Sequence, residues 1–231
     1  MPTPPDPDDA LVLAPNCRRC PALVDARDRI AWGNGPQDAD VIVIGEAPAA
    51  GDPDDSEWPG GNRSGLAYTS RHSGRRIRAL LASVGLDGRA FYTNAVKCFP
   101  SDSEGSQIPR VDGEAVDDKA SNREPTPEER SNCRDHLRAE LDAVDPTVAL
   151  PTGKHATATL LDAEGRDLGG FLDRVLDPID APTLGVTVIP LLHPSYADVW
   201  RSRLDYDRDS YREALAAALR SCGVDATVAT E

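Results

Sequence analysis

Four short runs rich in β-branched and aromatic residues constrain this chain most. They are Val41-Ile42-Val43-Ile44, Phe91-Tyr92-Thr93, Thr147-Val148-Ala149-Leu150 and Val186-Thr187-Val188-Ile189-Pro190-Leu191-Leu192, each closed by Gly, Pro, Asn or His. Runs that are apolar throughout, rather than alternating, belong to strands covered on both faces. Amphipathic stretches separate them. In Ser73 to Val84, Ile77, Leu80, Leu81 and Val84 share one helical face and Gly85 supplies a stop. Thr126-Pro127-Glu128-Glu129 reads as a capped start, with Thr126 at the N-cap, Pro127 at the first helical position and Glu129 returning the capping bond, for a helix reaching about Val144. Lys154 to Leu161 and Asp209 to Leu219 are two further helices. Strands alternating with helices predict an α/β fold, a three-layer α/β/α arrangement around a central, mainly parallel four-stranded sheet.

One domain is expected. A chain of 231 residues buries about 70% or more of its unfolded surface around a single core. The boundaries read as a flexible N-terminal tail over 1–16, the domain over 17–221 and a C-terminal tail over 222–231. Residues 101–124, polar and acidic, read as an exposed insertion. The absence of an apolar run long enough for a signal peptide or a membrane span leads us to expect a cytoplasmic monomer with no membrane partner.

The formal net charge is −14, from 28 Asp and 11 Glu against 22 Arg and 3 Lys. Such a balance suggests a halophilic surface adapted to concentrated salt. In molar salt the Debye length is about 3 Å, so distant carboxylates repel phosphate weakly and an acidic chain is not excluded from nucleic acid.

Of five cysteines, Cys17 and Cys20 form a C-x2-C pair, Cys98 follows a predicted strand and Cys133 falls early in the helix after the insertion, leaving Cys222 as a spare thiol. An odd number in a reducing compartment argues against a disulfide framework and for a four-thiolate metal site. Spacing alone leaves zinc and an iron-sulfur cluster both open.

Ligands of open α/β sheets sit beyond the carboxyl ends of the strands. Three such ends carry hydrogen-bonding side chains beside small or rigid residues: Gly45-Glu46-Ala47-Pro48-Ala49-Ala50-Gly51, Thr93-Asn94-Ala95-Val96-Lys97-Cys98 and His193-Pro194-Ser195. No G-x-G-x-x-G or P-loop pattern follows a strand, which argues against a nucleotide-cofactor enzyme. Asn62 and Arg63, in a Gly-rich loop, and Arg201 are candidate phosphate contacts, and Arg71, Arg75, Arg76 and Arg78 form a further basic cluster.

Taken in order, these residues resemble the family 4 and family 5 uracil-DNA glycosylases, over Cys17 to about Leu219. Gly45-Glu46-Ala47-Pro48 is similar to the family 4 first motif; Ala47-Pro48-Ala49-Ala50, Gly61-Asn62-Arg63-Ser64-Gly65 and Pro125-Thr126-Pro127-Glu128-Glu129 are similar to family 5; Thr93-Asn94, Cys98 and His193-Pro194-Ser195 complete the set. The resemblance implies a [4Fe-4S] cluster on Cys17, Cys20, Cys98 and Cys133, with zinc the alternative, and excision of a flipped-out uracil from single- or double-stranded DNA to leave an abasic site, as in base excision repair. It implies catalytic roles for Glu46 and His193, and substrate contacts for Ala47, Tyr68 (where these families usually carry a stacking Phe), Asn94 and Ser195. Arg71 departs from the Asp common in family 5. That departure and Tyr68 keep two alternatives open: a DNA-binding module without catalysis, and a glycosylase for other deaminated bases.

Overall fold

The computed structural model describes residues 2–101, 110–111, 114–115 and 122–229. The sheet has seven strands in the order β1-β2-β4-β3-β7-β9-β8. Its centre is the four expected strands, β4 (Ala90–Asn94), β3 (Val41–Gly45), β7 (Val148–Pro151) and β9 (Val186–Val188), all parallel to one another. The expectation of four strands is corrected by three short antiparallel additions at the edges: β1 (Ala10–Leu11), β2 (Gly33–Asn34) and β8 (Ile179–Ala181). β9 ends earlier than Leu192 because Pro190 has no N–H for the ladder. The chain nevertheless stays beside β7, with Leu191 N donating to the Pro151 carbonyl at 2.8 Å.

Helices cover both faces. Val41, Val43, Tyr92, Val148 and Leu150 point to the side packed by α3 (Gly74–Ser83) and α7 (Arg208–Ser221), while Ile42, Ile44, Phe91, Ala149 and Val188 point to α4 (Pro127–Val144) and α5 (Lys154–Ala163). This is the period-2 division of a strand between two layers. Three shorter α-helices, α1 (Pro21–Ala26), α2 (Gly61–Ser64) and α6 (Ala197–Arg203), two 3-10 turns (Pro7–Asp9 and Leu172–Arg174) and a β5–β6 hairpin (Arg110–Val111 with Glu114–Ala115) complete the described elements. The start of α4 has both bonds of the capping box: Glu129 N donates to Thr126 Oγ1 at 3.2 Å and Thr126 N to Glu129 Oε2 at 2.8 Å.

Both expected tails are tied down. Ala10 and Leu11 pair with Asn34 and Gly33. At the other end Val224 and Ala226 are buried, and Thr227 N and Ala229 N donate to the carbonyls of Val84 and Ser83, both at 3.0 Å. The expected insertion at 101–124 lies largely outside the described residues. No described helix is long and apolar enough to cross a membrane.

Candidate active site

The parallel strands deliver Glu46, Asn94 and His193 to one edge of the sheet. β3 and β4 run in register, pairing Gly45 with Asn94, so Glu46 and Asn94 leave adjacent strand ends. Each has a buried polar atom without a hydrogen-bond partner, Oε1 of Glu46 and Nδ2 of Asn94. An orphaned buried donor or acceptor costs about 1–3 kcal/mol, so two at neighbouring strand ends mark groups kept for a ligand.

Gly45 forms the floor between them. A Cβ there would collide with Asn94 Oδ1 and lie 3.0 Å from the Tyr68 hydroxyl. Tyr68 itself occupies the left-handed region at φ 55, is 8% exposed, and its hydroxyl shares a 2.6 Å hydrogen bond with Thr152 Oγ1, just past β7. Burial pushes its phenol well above the ordinary value. The hydroxyl that replaces a family Phe edge thus has its partner.

His193 is reached from the end of β7 as well, since a Cβ on Gly153 (φ +87) would stand 3.2 Å from that of His193. Ser195 N donates to His193 Nδ1 at 3.3 Å. With Nδ1 accepting, the neutral ring carries its proton on Nε2, available to donate. Burial, and then the neighbouring His155, hold the imidazole below its usual pKa, which keeps this neutral form present to lower pH. Ser195 acts here through its backbone; the residue itself is exposed.

Behind Asn94 lies a buried ion pair that sequence reading missed. Lys97 and Glu140 are 1% and 0% exposed. Lys97 Nζ donates to Glu140 Oε2 at 2.5 Å, Thr93 Oγ1 at 2.7 Å and the Asn94 carbonyl at 2.6 Å. Glu140 accepts in addition from Thr93 Oγ1 at 2.6 Å and from Gly33 N at 3.2 Å. Every proton of the ammonium has a partner, and one of those partners is the main chain of Asn94.

The four expected cysteines come together where α1, the loop after β4 and α4 meet. Cys98 and Cys133 are buried with Leu23 and Val96, and Cys20 packs on them. Arg27 bridges Cys98 Sγ at 2.9 Å and the Cys17 carbonyl at 2.6 Å, and Lys97 N and Asn132 Nδ2 donate to the sulfurs of Cys133 and Cys20 at 3.4 and 3.5 Å. Burial raises the thiols of Cys20 and Cys98 and pushes Cys133 up to about 11. Four converging soft ligands, with donors aimed at three of the sulfurs, fit a thiolate-held metal centre. Cys222 stands apart at the end of α7, packed on the core on the α3/α7 face.

Several expected contacts are placed differently. Ala47, an expected substrate contact, packs against the cysteine group. Asn62, 5% exposed, accepts from Asp28 N at 2.9 Å and donates to the Asp28 carboxylate at 3.3 Å; it closes a loop and is not offered to phosphate. Arg201 is paired with Asp198 and its side chain is only 17% exposed. Arg78 is spent internally, on Asn34 Oδ1 at 2.6 Å and over the Tyr92 ring at 3.8 Å. Arg63 stays near the surface, 4.0 Å from Asp28; Arg71 reaches toward Asp55, also at 4.0 Å; Arg76 donates to the Pro194 carbonyl at 3.3 Å, linking α3 to the His193 loop.

A mainly parallel sheet presents at its carboxyl edge an orphaned Asn amide, an orphaned carboxylate and a His held below its usual pKa, with four cysteines alongside, so this is an α/β domain with a polar site at its strand ends. The chain belongs to the uracil DNA glycosylase superfamily, whose model matches residues 32–220. It is 30% identical to a type-5 uracil-DNA glycosylase of Pyrobaculum aerophilum over 95% of this chain and 93% of that protein. It is 28% identical to a type-4 uracil-DNA glycosylase of Archaeoglobus fulgidus (87% and 88% covered) and 26% to one of Thermotoga maritima (78% and 77%).

Proposed function

We propose that this chain is a monofunctional uracil-DNA glycosylase, and the observation that carries the reading is the unpartnered amide of Asn94 beside the unpartnered carboxylate of Glu46. A base inside the duplex is inaccessible, so the nucleotide leaves the stack and its edge is read in the pocket. Asn94 Nδ2 donates to uracil O4 while Oδ1 accepts from N3–H. Cytosine offers an amino group and a bare N3 in those places, reversing both bonds. Tyr68 and the bare Gly45 backbone form the wall and floor against which the flat ring lies.

As the bond between base and sugar lengthens, negative charge moves onto the base and positive charge onto the sugar. His193 Nε2–H donates to O2, a preformed dipole aimed where charge develops. Glu46 faces the cationic sugar and orients the attacking water, accepting its proton as the new C–O bond forms. The DNA backbone is left intact. Arg63 and the cationic face of α3 are the phosphate contacts, working at short range against the acidic background.

Cys17, Cys20, Cys98 and Cys133 hold a [4Fe-4S] cluster whose role is structural, joining the N-terminal arm to the β4 exit and α4. Cys98→Ala is expected to lower bound iron and sulfide and to bleach the broad visible absorbance. Full iron content in that variant would exclude Cys98 as a ligand.

The function itself is tested with oligonucleotides carrying a single uracil, single- and double-stranded. A break at uracil only after alkali is the expected outcome. Release of hypoxanthine from a matched oligonucleotide, but not of uracil, would reassign the substrate, and tight binding without base release would make the chain a binding module.

A further inference from the structure

The carboxyl edge of the sheet has a fourth strand end, that of β7, from which the sequence nominates no functional residue. The chain turns there through Thr152 and Gly153 into α5, and the second residue of that helix is His155. Its Nε2 lies 3.0 Å from Glu124 Oε1, in the segment entering α4. A ring nitrogen of His155, a carboxylate oxygen of Glu124 and one of Glu46 all lie within 4.8 Å of one another. Three parts of the fold, the β3 exit, the approach to α4 and the start of α5, thus bring a histidine between two carboxylates, one of which has a buried oxygen with no hydrogen-bond partner.

We propose that His155, held by Glu124, is a positioning residue of this site: its ring stands against the Glu46 carboxylate, where it can set a cationic edge, and keeps that carboxylate turned to the sugar and its water. The inference rests on Glu46 being the catalytic carboxylate. Its physical ground is that Glu46 is partly buried, which by itself favours the neutral acid, and a neutral acid can neither accept from water nor stabilise a cationic sugar. The groups that face it are few. His155 from α5 is the strongest favouring the charged form, Arg130 of α4 acts the same way more weakly, and Glu124 opposes them. Glu124 acts usefully through His155, because its carboxylate, 3.0 Å from Nε2, holds the ring beside Glu46. His155 also faces His193 and favours its neutral form, the one whose Nδ1 accepts from Ser195 N. His155 therefore faces both groups that flank the bond to be broken, opposing the effect of burial at Glu46 and adding to it at His193.

The test is the pH dependence of single-turnover uracil release by the full chain, wild type against His155→Gln, His155→Lys and Glu46→Ala. Loss of the cation raises the folded pKa of Glu46, so the acidic limb of the profile moves to higher pH. A move of about one pH unit lowers the rate below the limb about tenfold while leaving the plateau. His155→Lys, which restores a positive charge, brings the limb back toward wild type. A limb unmoved in His155→Gln, or a uniform loss at every pH that Lys does not repair, overturns the inference and leaves His155 a helix-start residue. Glu46→Ala reports on the premise separately: near-wild-type release would remove Glu46 from catalysis, whatever the His155 variants do. Thermal unfolding of each variant separates misfolding from these outcomes.

Discussion

Glu140→Leu is expected to destabilise the protein by about 3–5 kcal/mol, the range for removing one partner of a buried ion pair. Against a total stability of about 5–15 kcal/mol this is a large fraction. The ammonium of Lys97 is 1% exposed and has lost its counter-charge in the variant, and Thr93 Oγ1 and Gly33 N lose their acceptors at the same time. Denaturant unfolding should show a lowered midpoint. The paired change Lys97→Met with Glu140→Leu should recover much of the loss, since neither charge then remains stranded. Because Lys97 Nζ also donates to the Asn94 carbonyl, the double variant should fold better than it works, with uracil release still below wild type. A stability change within about 0.5 kcal/mol in Glu140→Leu, the range of ordinary surface substitutions, would mean that the pair is solvated in solution.

His193→Ala is expected to lower single-turnover uracil release by about 10²–10³-fold, the usual effect of removing one donor aimed at developing negative charge. The variant should fold normally, for His193 is only partly buried and its Nδ1 receives a single 3.3 Å bond from Ser195 N. His193→Gln can still donate, from an amide not held by that backbone contact, and should retain more activity than the alanine variant. For wild type the sign with pH follows from the lowered pKa of His193: the ring is neutral at and above neutrality, and the bond from Ser195 N to Nδ1 that holds it in place is lost only as pH falls through that depressed value, when Nδ1 also becomes a donor. A His193→Ala rate within threefold of wild type would place charge stabilisation elsewhere.

Some of this was legible in the sequence. The four parallel strands were, because a run such as Val41 to Ile44 is apolar on both faces and fits little other than a covered strand. The edge strands were not: Gly33 and Asn34 give two residues with no period, and their pairing with β1 and β4 is set by tertiary contacts. Asn94 and Glu46 were found by the rule that sites lie beyond strand ends, and the same rule applied to β7 would have drawn attention to His155, which sits in Lys154-His155-Ala156 without a motif. Lys97 was passed over because a lysine is almost never buried; only its four-residue spacing from Thr93 hinted at the contact the two side chains make. At Asn62 the glycine neighbours suggested a close approach to phosphate, and in the structure they let the loop close on Asp28.

The most direct measurement is base release from a single-uracil oligonucleotide in molar potassium chloride, identified by the mass of the free base, for wild type and Asn94→Ala side by side. The account predicts free uracil and an alkali-labile site with wild type, none from the matching cytosine oligonucleotide, and release reduced by about 10²-fold or more in Asn94→Ala, which lacks the amide that reads the base. No free base from wild type, with the four cysteines loaded and the DNA bound, would contradict it.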